Sequence, residues 1–188
     1  MVGTIHVVIG CMYSGKTSYI IKEYKKWKSI GKKVICINNK FDNRFGIENQ
    51  KFVCSHDLVK EQCYECLKLN DLDESLLNNV DVILINEGQF FEDLIPFCMK
   101  WCEEKDKNII VCGLDGTFDR NSFGQMLELI PKAESVIKLS AFCSICKDGT
   151  AAPFSLRLSD EKDKIIIGTN NYIPVCRKHY CELINKKP

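Results

Sequence analysis

A glycine-rich motif of the form G-x-x-x-x-G-K-[ST] lies near the start of the chain, between an apolar run and a helix-like segment. Its fixed positions are Gly10, Gly15, Lys16 and Thr17. Glycines at such a strand-to-helix turn let backbone N–H groups converge on a phosphate chain, and the helix adds its positive end. The motif therefore predicts a loop that binds a nucleoside triphosphate, with Lys16 reaching the β and γ phosphates and Thr17 binding Mg²⁺.

Composition narrows the class of protein further. The chain has 188 residues, a net charge of +1 and 45% apolar residues, which is typical of one compact domain with a small appendage. A balanced charge predicts neither a nucleic-acid nor a membrane partner. Residues 1–10 lack the charged start of a secretory signal, so the 12 cysteines are expected to be thiols or metal ligands in the cytoplasm.

Apolar runs alternate with helix-like segments along the first three quarters of the chain. The predicted strands are residues 4–9, 33–38, 50–55, 80–86, 108–113 and 135–139. The predicted helices are residues 16–30, 92–105 and 124–130. Continuous apolar runs are typical of parallel strands buried on both faces, so we predict an α/β fold with a mostly parallel central sheet. A change of character near Ala141 divides the chain into a P-loop domain, residues 1–141, and a small C-terminal zinc-binding lobe, residues 142–188.

Polar residues follow several of these strands at the edge where ligands bind in such sheets. Glu87 is the candidate general base, because a carboxylate there could accept the proton of an attacking hydroxyl. Alternatively, Glu87 is only a solvated residue at the end of a strand or a charge at the N-terminus of a helix. Asn86 is neutral where many P-loop proteins place an acidic residue for Mg²⁺, and Asp42 or Asp115 could compensate.

Two short-spaced ligand pairs predict a metal site. Cys143-x-x-Cys146 and Cys176-x-x-His179 have the spacing of a structural Cys₃His zinc site, with Cys181 as an alternative to His179. Four unligated side chains are the other interpretation.

The remaining cysteine pairs are interpreted as apolar residues of the core. Cys63 and Cys66 lack a second pair nearby, and Cys98 and Cys102 lie one helical turn apart.

Aromatic residues are frequent around the predicted ligand edge. They are Phe90, Phe91, Phe118, Phe123, Phe154 and Tyr172. Rings of this kind either stack on a planar base or belong to an ordinary core, and the sequence leaves both open.

Several separate motifs, in order and over nearly the whole length, give the chain a resemblance to the type II thymidine kinases. The motifs are Gly10-Cys11-Met12-Tyr13-Ser14-Gly15-Lys16-Thr17, Lys40-Phe41-Asp42-Asn43-Arg44-Phe45, Cys54-Ser55-His56-Asp57, Asn86-Glu87-Gly88-Gln89-Phe90-Phe91, Gly113-Leu114-Asp115-Gly116-Thr117-Phe118-Asp119-Arg120, the two zinc pairs, and Phe154-Ser155-Leu156-Arg157-Leu158. The resemblance implies transfer of the γ-phosphate of ATP to the 5′-hydroxyl of thymidine or deoxyuridine. It also implies a homotetramer that is inhibited by thymidine triphosphate.

The resemblance also implies roles for individual residues. Glu87 matches the catalytic base of the family. The stretches that match its ATP and Mg²⁺ contacts are Gly10 to Thr17, Asp42, Asn43 and Arg44, and Asn86, Gly88 and Gln89. The residues that match its nucleoside contacts are Met12, Phe90, Leu114, Phe118, Phe123, Tyr172 and a lasso loop containing Asp163, Lys164, Ile165, Ile166 and Ile167. The predicted zinc site would tie down the ends of this loop.

The sequence departs from the family pattern at three places. Asn86 replaces an aspartate, and His179 replaces a cysteine. In the C-terminal part, Ile167 replaces the first glycine of a pair, and the segment of residues 146–154 is slightly longer. Three alternatives therefore stay open: a P-loop kinase or ATPase with another substrate, a module that binds nucleic acid or protein, and a catalytically impaired relative.

Overall fold

The computed structural model of the protein describes residues 2–41, 52–54, 60–159 and 171–184, with only the backbone for 52–54 and 60–62. The strands are β1 Thr4–Gly10, β2 Val34–Asn39, β3 Phe52–Cys54, β4 Lys60–Gln62, β5 Tyr64–Cys66, β6 Val82–Ile85, β7 Asn108–Gly113, β8 Ser135–Leu139, β9 Ala141–Phe142, β10 Ala151–Ala152, β11 Phe154–Arg157 and β12 Tyr172–Val175. The α-helices are α1 Lys16–Ser29, α2 Glu74–Asn78, α3 Leu94–Met99 and α4 Arg177–Ile184.

A six-stranded sheet with the order β5-β2-β6-β7-β1-β8 forms the centre of the fold, and each of its strand pairs is parallel. All four residues of β6 are buried, and Ile83 lies opposite Ile35 and Ile109 in register. This is the arrangement that continuous apolar runs predict, because helices cover both faces of a parallel sheet. The predicted α/β fold is confirmed.

Two hydrophobic clusters cover the two faces of the sheet. One contains Ile83, Ile85 and the α3 side chains Leu94 and Phe97. The other contains Val82 and Leu84 with residues of α1. The alternation along β6 explains how a single four-residue strand supplies both clusters. Because these clusters lie on the two faces of the sheet, the carboxyl ends of its strands form the edge at which ligands bind in such folds.

The predicted helices begin close to the residues expected from the sequence, with one exception. Helix α1 ends just before Gly31, which has φ +80°. Helix α3 carries Pro96 in its first turn and continues as a π-helical segment, Lys100–Glu104. The prediction of a helix over residues 124–130 is wrong: the segment forms turns that end in a 3₁₀ helix, Ile130–Lys132. Gly124 has φ +55°, and a proline at position 131 disfavours α conformation just before it.

A separate hydrophobic cluster lies in the C-terminal part of the chain. It is formed by Cys143, Ala152, Leu156, Val175, Cys176 and Tyr180. Two antiparallel pairs, β9 with β10 and β11 with β12, carry it together with α4. The separate cluster supports our proposal that the lobe begins after residue 141, and we call the described residues 142–159 and 171–184 the C-terminal lobe.

Within the part of the chain that the structure describes, no helix is both long enough and apolar enough to cross a bilayer.

The cysteine pairs outside the lobe belong to the two clusters of the sheet. Cys63, Cys66, Cys98 and Cys102 are buried there, as the sequence predicted. Burial raises the pKa of the Cys66 thiol to about 12, which is consistent with an inert thiol.

We predict that Trp101→Ala lowers the free energy of unfolding by about 3–5 kcal/mol, because it removes a large core side chain. Trp101 is 1% exposed, and its ring centroid lies 6.0 Å from that of Phe97. Trp27→Ala is the matched control, since Trp27 is only partly buried against the other face. Urea unfolding followed by circular dichroism measures both variants. Equal losses for the two would contradict the assigned core.

Candidate active site

The predicted phosphate-binding loop connects β1 to α1. Tyr13 has φ +63° and Gly15 has φ +87°, so two left-handed residues turn the backbone between the strand and the helix. Such turns direct successive N–H groups to one side and create a concave anion site. At position 15 a Cβ atom would meet nothing within 4 Å, so the loop has open space on that side.

The charged group of the loop is the ammonium of Lys16. Its side chain is buried, and Nζ donates hydrogen bonds to the backbone oxygens of Gly10 at 3.1 Å and Cys11 at 2.6 Å. The Ser14 hydroxyl is buried and has no hydrogen-bond partner among the described residues. A polar atom of this kind, beside a cation and backbone donors, fits a triphosphate. Lys16, Ser14 and the loop backbone could therefore hold ATP.

Glu87 lies at the carboxyl end of β6 with its side chain held in place. It is 7% exposed and has φ +54° and ψ +42°, which is rare for a residue other than glycine. Gln89 Nε2 donates to Glu87 Oε2 at 2.6 Å. Gln89 Oε1 accepts the backbone N–H of Leu114 at 2.9 Å. The two contacts connect the ends of β6 and β7, and strand β7 separates Glu87 from the phosphate loop on β1.

Asn86 makes a buried side-chain contact with the neighbouring strand β2. Its Nδ2 donates to Asn38 Oδ1 at 3.0 Å, and both residues are 2% exposed. The amide nitrogen is thus used within the protein, and only the carbonyl oxygen of Asn86 could face a metal-bound water. Asp115, expected as a compensating carboxylate, forms an ion pair with Lys138 at 2.7 Å. Asp42, the other candidate, lies outside the described residues.

The aromatic residues among the predicted nucleoside contacts fall into two groups. Phe90 and Phe123 meet edge to face, with ring centroids 5.5 Å apart. The sequence analysis did not assign Phe41 to the site, but its ring centroid lies 6.3 Å from that of Phe90. The rings are inclined to one another, so a planar base could stack on the exposed face of one ring and meet the edge of its neighbour.

The second aromatic group surrounds a buried cation. Arg157 is 2% exposed, and its Cζ lies 3.7 Å from the centroid of Phe118. Its Nη2 donates to the hydroxyl of Tyr172 at 2.8 Å. Arg157 therefore fixes the relative position of Phe118 and Tyr172. The sequence signal that could have identified this role of Arg157 was a charged residue at the end of a buried strand.

The four predicted zinc ligands come together in the C-terminal lobe. They are Cys143, Cys146, Cys176 and His179, and their ligand atoms all lie within 4.8 Å of one another. The Sγ atoms of Cys146 and Cys176 are 3.9 Å apart, and His179 Nδ1 lies 3.3–3.5 Å from the three Sγ atoms. Tetrahedral zinc with bonds of about 2.3 Å to sulfur and about 2.0 Å to nitrogen requires separations of roughly 3.5–3.8 Å. The cluster could therefore bind zinc.

Backbone N–H groups stabilise the thiolate form of Cys143. Burial raises the pKa of its thiol, but hydrogen bonds from the N–H groups of Cys146, Cys176 and Ile145 outweigh burial and lower the pKa to about 6. A stabilised thiolate is the form that binds zinc.

The C-terminal lobe contacts the phosphate loop directly. The Cys11 thiol donates to the Ala152 oxygen at 3.0 Å, and burial raises its pKa, which keeps the proton in place. The backbone N–H of Met12 donates to Ser155 Oγ at 2.9 Å. The lobe also holds the loop after β7, because the Tyr180 hydroxyl donates to the Phe118 oxygen at 2.6 Å. Tyr180 follows the predicted zinc ligand His179, so the metal site and the ligand edge share one scaffold.

Some predicted site residues lie outside the described part of the chain. They are Asp42, Asn43, Arg44, Asp163, Lys164, Ile165, Ile166 and Ile167.

Comparison with known proteins agrees with this geometry. The profile of the thymidine kinase family matches residues 3–180. A thymidine kinase of Oryza sativa subsp. japonica is 40% identical over 186 residues, which cover 96% of this chain and 67% of the relative. A thymidine kinase of vaccinia virus, strain Western Reserve, is 40% identical over 181 residues, which cover 96% of this chain and 98% of the relative. The chain belongs to the thymidine kinase family.

Proposed function

We propose that the protein transfers the γ-phosphate of ATP to the 5′-hydroxyl of thymidine, with deoxyuridine as a second acceptor. Family membership supports the reaction, and the placement of Glu87 on the same sheet edge as the phosphate loop is the observation that carries it. A buried carboxylate beside a triphosphate site supplies what an attacking hydroxyl needs.

On the nucleotide side, the loop residues Gly10, Cys11, Met12, Tyr13, Ser14, Gly15, Lys16 and Thr17 hold the phosphates. Asp42, Asn43, Arg44, Asn86 and Gly88 complete this side. Backbone N–H groups and the Lys16 ammonium neutralise the charge that spreads over the γ-phosphoryl oxygens. The Thr17 hydroxyl would hold Mg²⁺ and the Asn86 carbonyl would orient a water bound to it; the ion neutralises further phosphate charge when it is bound.

On the acceptor side, Met12, Phe90, Leu114, Phe118, Phe123 and Tyr172 surround the nucleoside, together with residues 163–167. Glu87 accepts the 5′-hydroxyl proton as the nucleoside oxygen bonds to the γ-phosphorus and the bond to the β,γ-bridging oxygen breaks. The products are thymidine monophosphate and ADP.

The zinc site has a structural role in this proposal. Three cysteines and a histidine would occupy all four coordination positions of a tetrahedral zinc ion, which leaves no open position for catalysis. The contacts of Ala152 and Ser155 with the phosphate loop imply that metal binding supports the nucleotide site as well as the substrate-covering loop.

The assembly, regulation and location are proposals that rest mainly on the resemblance. We propose a homotetramer that is inhibited by thymidine triphosphate and that works in the cytoplasm.

We predict that Lys16→Ala and Glu87→Gln each lower kcat for thymidine phosphorylation by about 100-fold or more, but only Lys16→Ala greatly weakens ATP binding. Chromatographic detection of thymidine monophosphate, with and without Mg²⁺ and with deoxycytidine as competitor, measures turnover. Titration calorimetry measures ATP affinity.

Glu23→Gln is the matched control for the carboxylate, since Glu23 is 6% exposed but pairs with Lys26 on α1. We expect it to keep normal activity. A wild-type protein that phosphorylates no thymidine contradicts the function. A near-normal kcat of Glu87→Gln contradicts only the base assignment.

We further predict about one zinc ion per chain, lost in His179→Ala but retained in His179→Cys, because zinc accepts either ligand. Cys181→Ser is the control, since Cys181 is exposed and outside the cluster. Mass spectrometry of the purified variants gives the zinc content. Loss of zinc in Cys181→Ser with retention in His179→Ala would show that Cys181, and not His179, is the fourth ligand.

A further inference from the structure

The Gln89 side chain is buried between the ends of two central strands, and both ends of its amide are hydrogen-bonded. It is 4% exposed, donates to Glu87 Oε2 at 2.6 Å and accepts from the N–H of Leu114 at 2.9 Å. The backbone N–H can only donate and an ionised carboxylate can only accept. The two partners therefore fix the orientation of the amide.

The surroundings leave Gln89 little room to move away. A Cβ atom at position 113 would lie 2.7 Å from Gln89 Oε1, and one at position 124 would lie 2.2 Å from its backbone oxygen. A Cβ atom at position 88 would lie 2.7 Å from a methyl group of Val111. Three glycines thus allow the turn that contains Glu87 and Gln89 to approach β7 and the following loop closely.

Glu87 depends on such support because of its backbone. Left-handed conformation is unfavourable for a residue other than glycine, and surrounding contacts have to maintain it. A base also has to lie within hydrogen-bond reach of the proton that it accepts, and small displacements lower the rate strongly.

We propose that Gln89 is a positioning residue for the phosphoryl transfer, which holds the Glu87 carboxylate against the acceptor hydroxyl. This inference rests on the proposed function. The amide stays chemically unchanged: the hydroxyl proton passes to Glu87 while Gln89 keeps its hydrogen bond to Oε2. The role differs from the nucleotide contact expected from the resemblance, since the side-chain amide contacts the base and β7.

Two variants separate the contacts of Gln89. Gln89→Glu keeps an acceptor for the Leu114 N–H but loses the donor to Glu87 and adds a second carboxylate. Gln89→Met keeps the approximate shape and loses both hydrogen bonds. We expect kcat for thymidine to fall about 10- to 100-fold in Gln89→Met and further in Gln89→Glu. KM for both substrates and the calorimetric Kd for ATP should stay within about 3-fold.

Gln125→Met is the matched control. Gln125 Oε1 accepts the backbone N–H of Ile95 at 2.9 Å, so the variant removes the same kind of bond from a partner other than Glu87. We expect the melting temperatures of Gln125→Met and Gln89→Met to fall by similar amounts, with kcat lowered only in the latter. This comparison separates positioning from a general loss of stability.

Three results would overturn the inference. The first is a kcat within 3-fold of wild type in Gln89→Met. The second is a rise in the Kd for ATP that matches the loss of kcat, which would make Gln89 a nucleotide contact. The third is an equal loss of kcat in Gln125→Met. If Gln89→Glu does not fold, Gln89→Met alone decides, and failure of the wild-type protein to phosphorylate thymidine is a separate outcome that removes the function itself.

Discussion

Parallel hydrogen bonding in the central sheet is the constraint on which the site depends. Because every pair in the six-stranded sheet is parallel, the chain leaves each strand at the same edge. The phosphate loop after β1, Glu87 after β6 and Leu114 after β7 meet there for that reason alone. Hydrophobic burial on both faces fixes the sheet, and the residues of the candidate site lie at the carboxyl ends of its strands.

Much of this arrangement could be predicted from the sequence, because it depends on local patterns. The continuous apolar runs located β1, β2, β6, β7 and β8, and residues 108–113 were predicted with the bounds that the structure has. They missed the edge strand β5, and the predicted strand 50–55 corresponds to β3, which pairs with β4 outside the central sheet. The prediction of a helix over residues 124–130 was wrong because it gave the pattern of apolar residues more weight than two signals that oppose a helix, Gly124 and the proline at 131. Periodicity alone cannot weigh a tertiary contact such as that between Gly124 and Gln89.

The candidate site was predictable in its residues more than in its contacts. Motifs identified Lys16, Glu87 and the Cys₃His set, since the chemistry limits the residue types and spacings. The partners of these residues were not predictable. The contacts of Asn38 with Asn86 and of Arg157 with Tyr172 join strands that are distant in sequence. They depend on the register between strands, which the apolar runs considered one at a time do not reveal.

The buried amide pair at the ends of β2 and β6 has a consequence for how this chain can change over generations. An aspartate at position 86 would be an acceptor facing the oxygen of Asn38, so the Asn38 amide would have to turn and present its nitrogen as a donor. The two positions thus form an epistatic unit, because an amide at position 38 can face either residue at position 86, whereas a side chain without a donor cannot face an aspartate. Whether a negative charge is tolerated at position 86 therefore depends on the residue that position 38 carries.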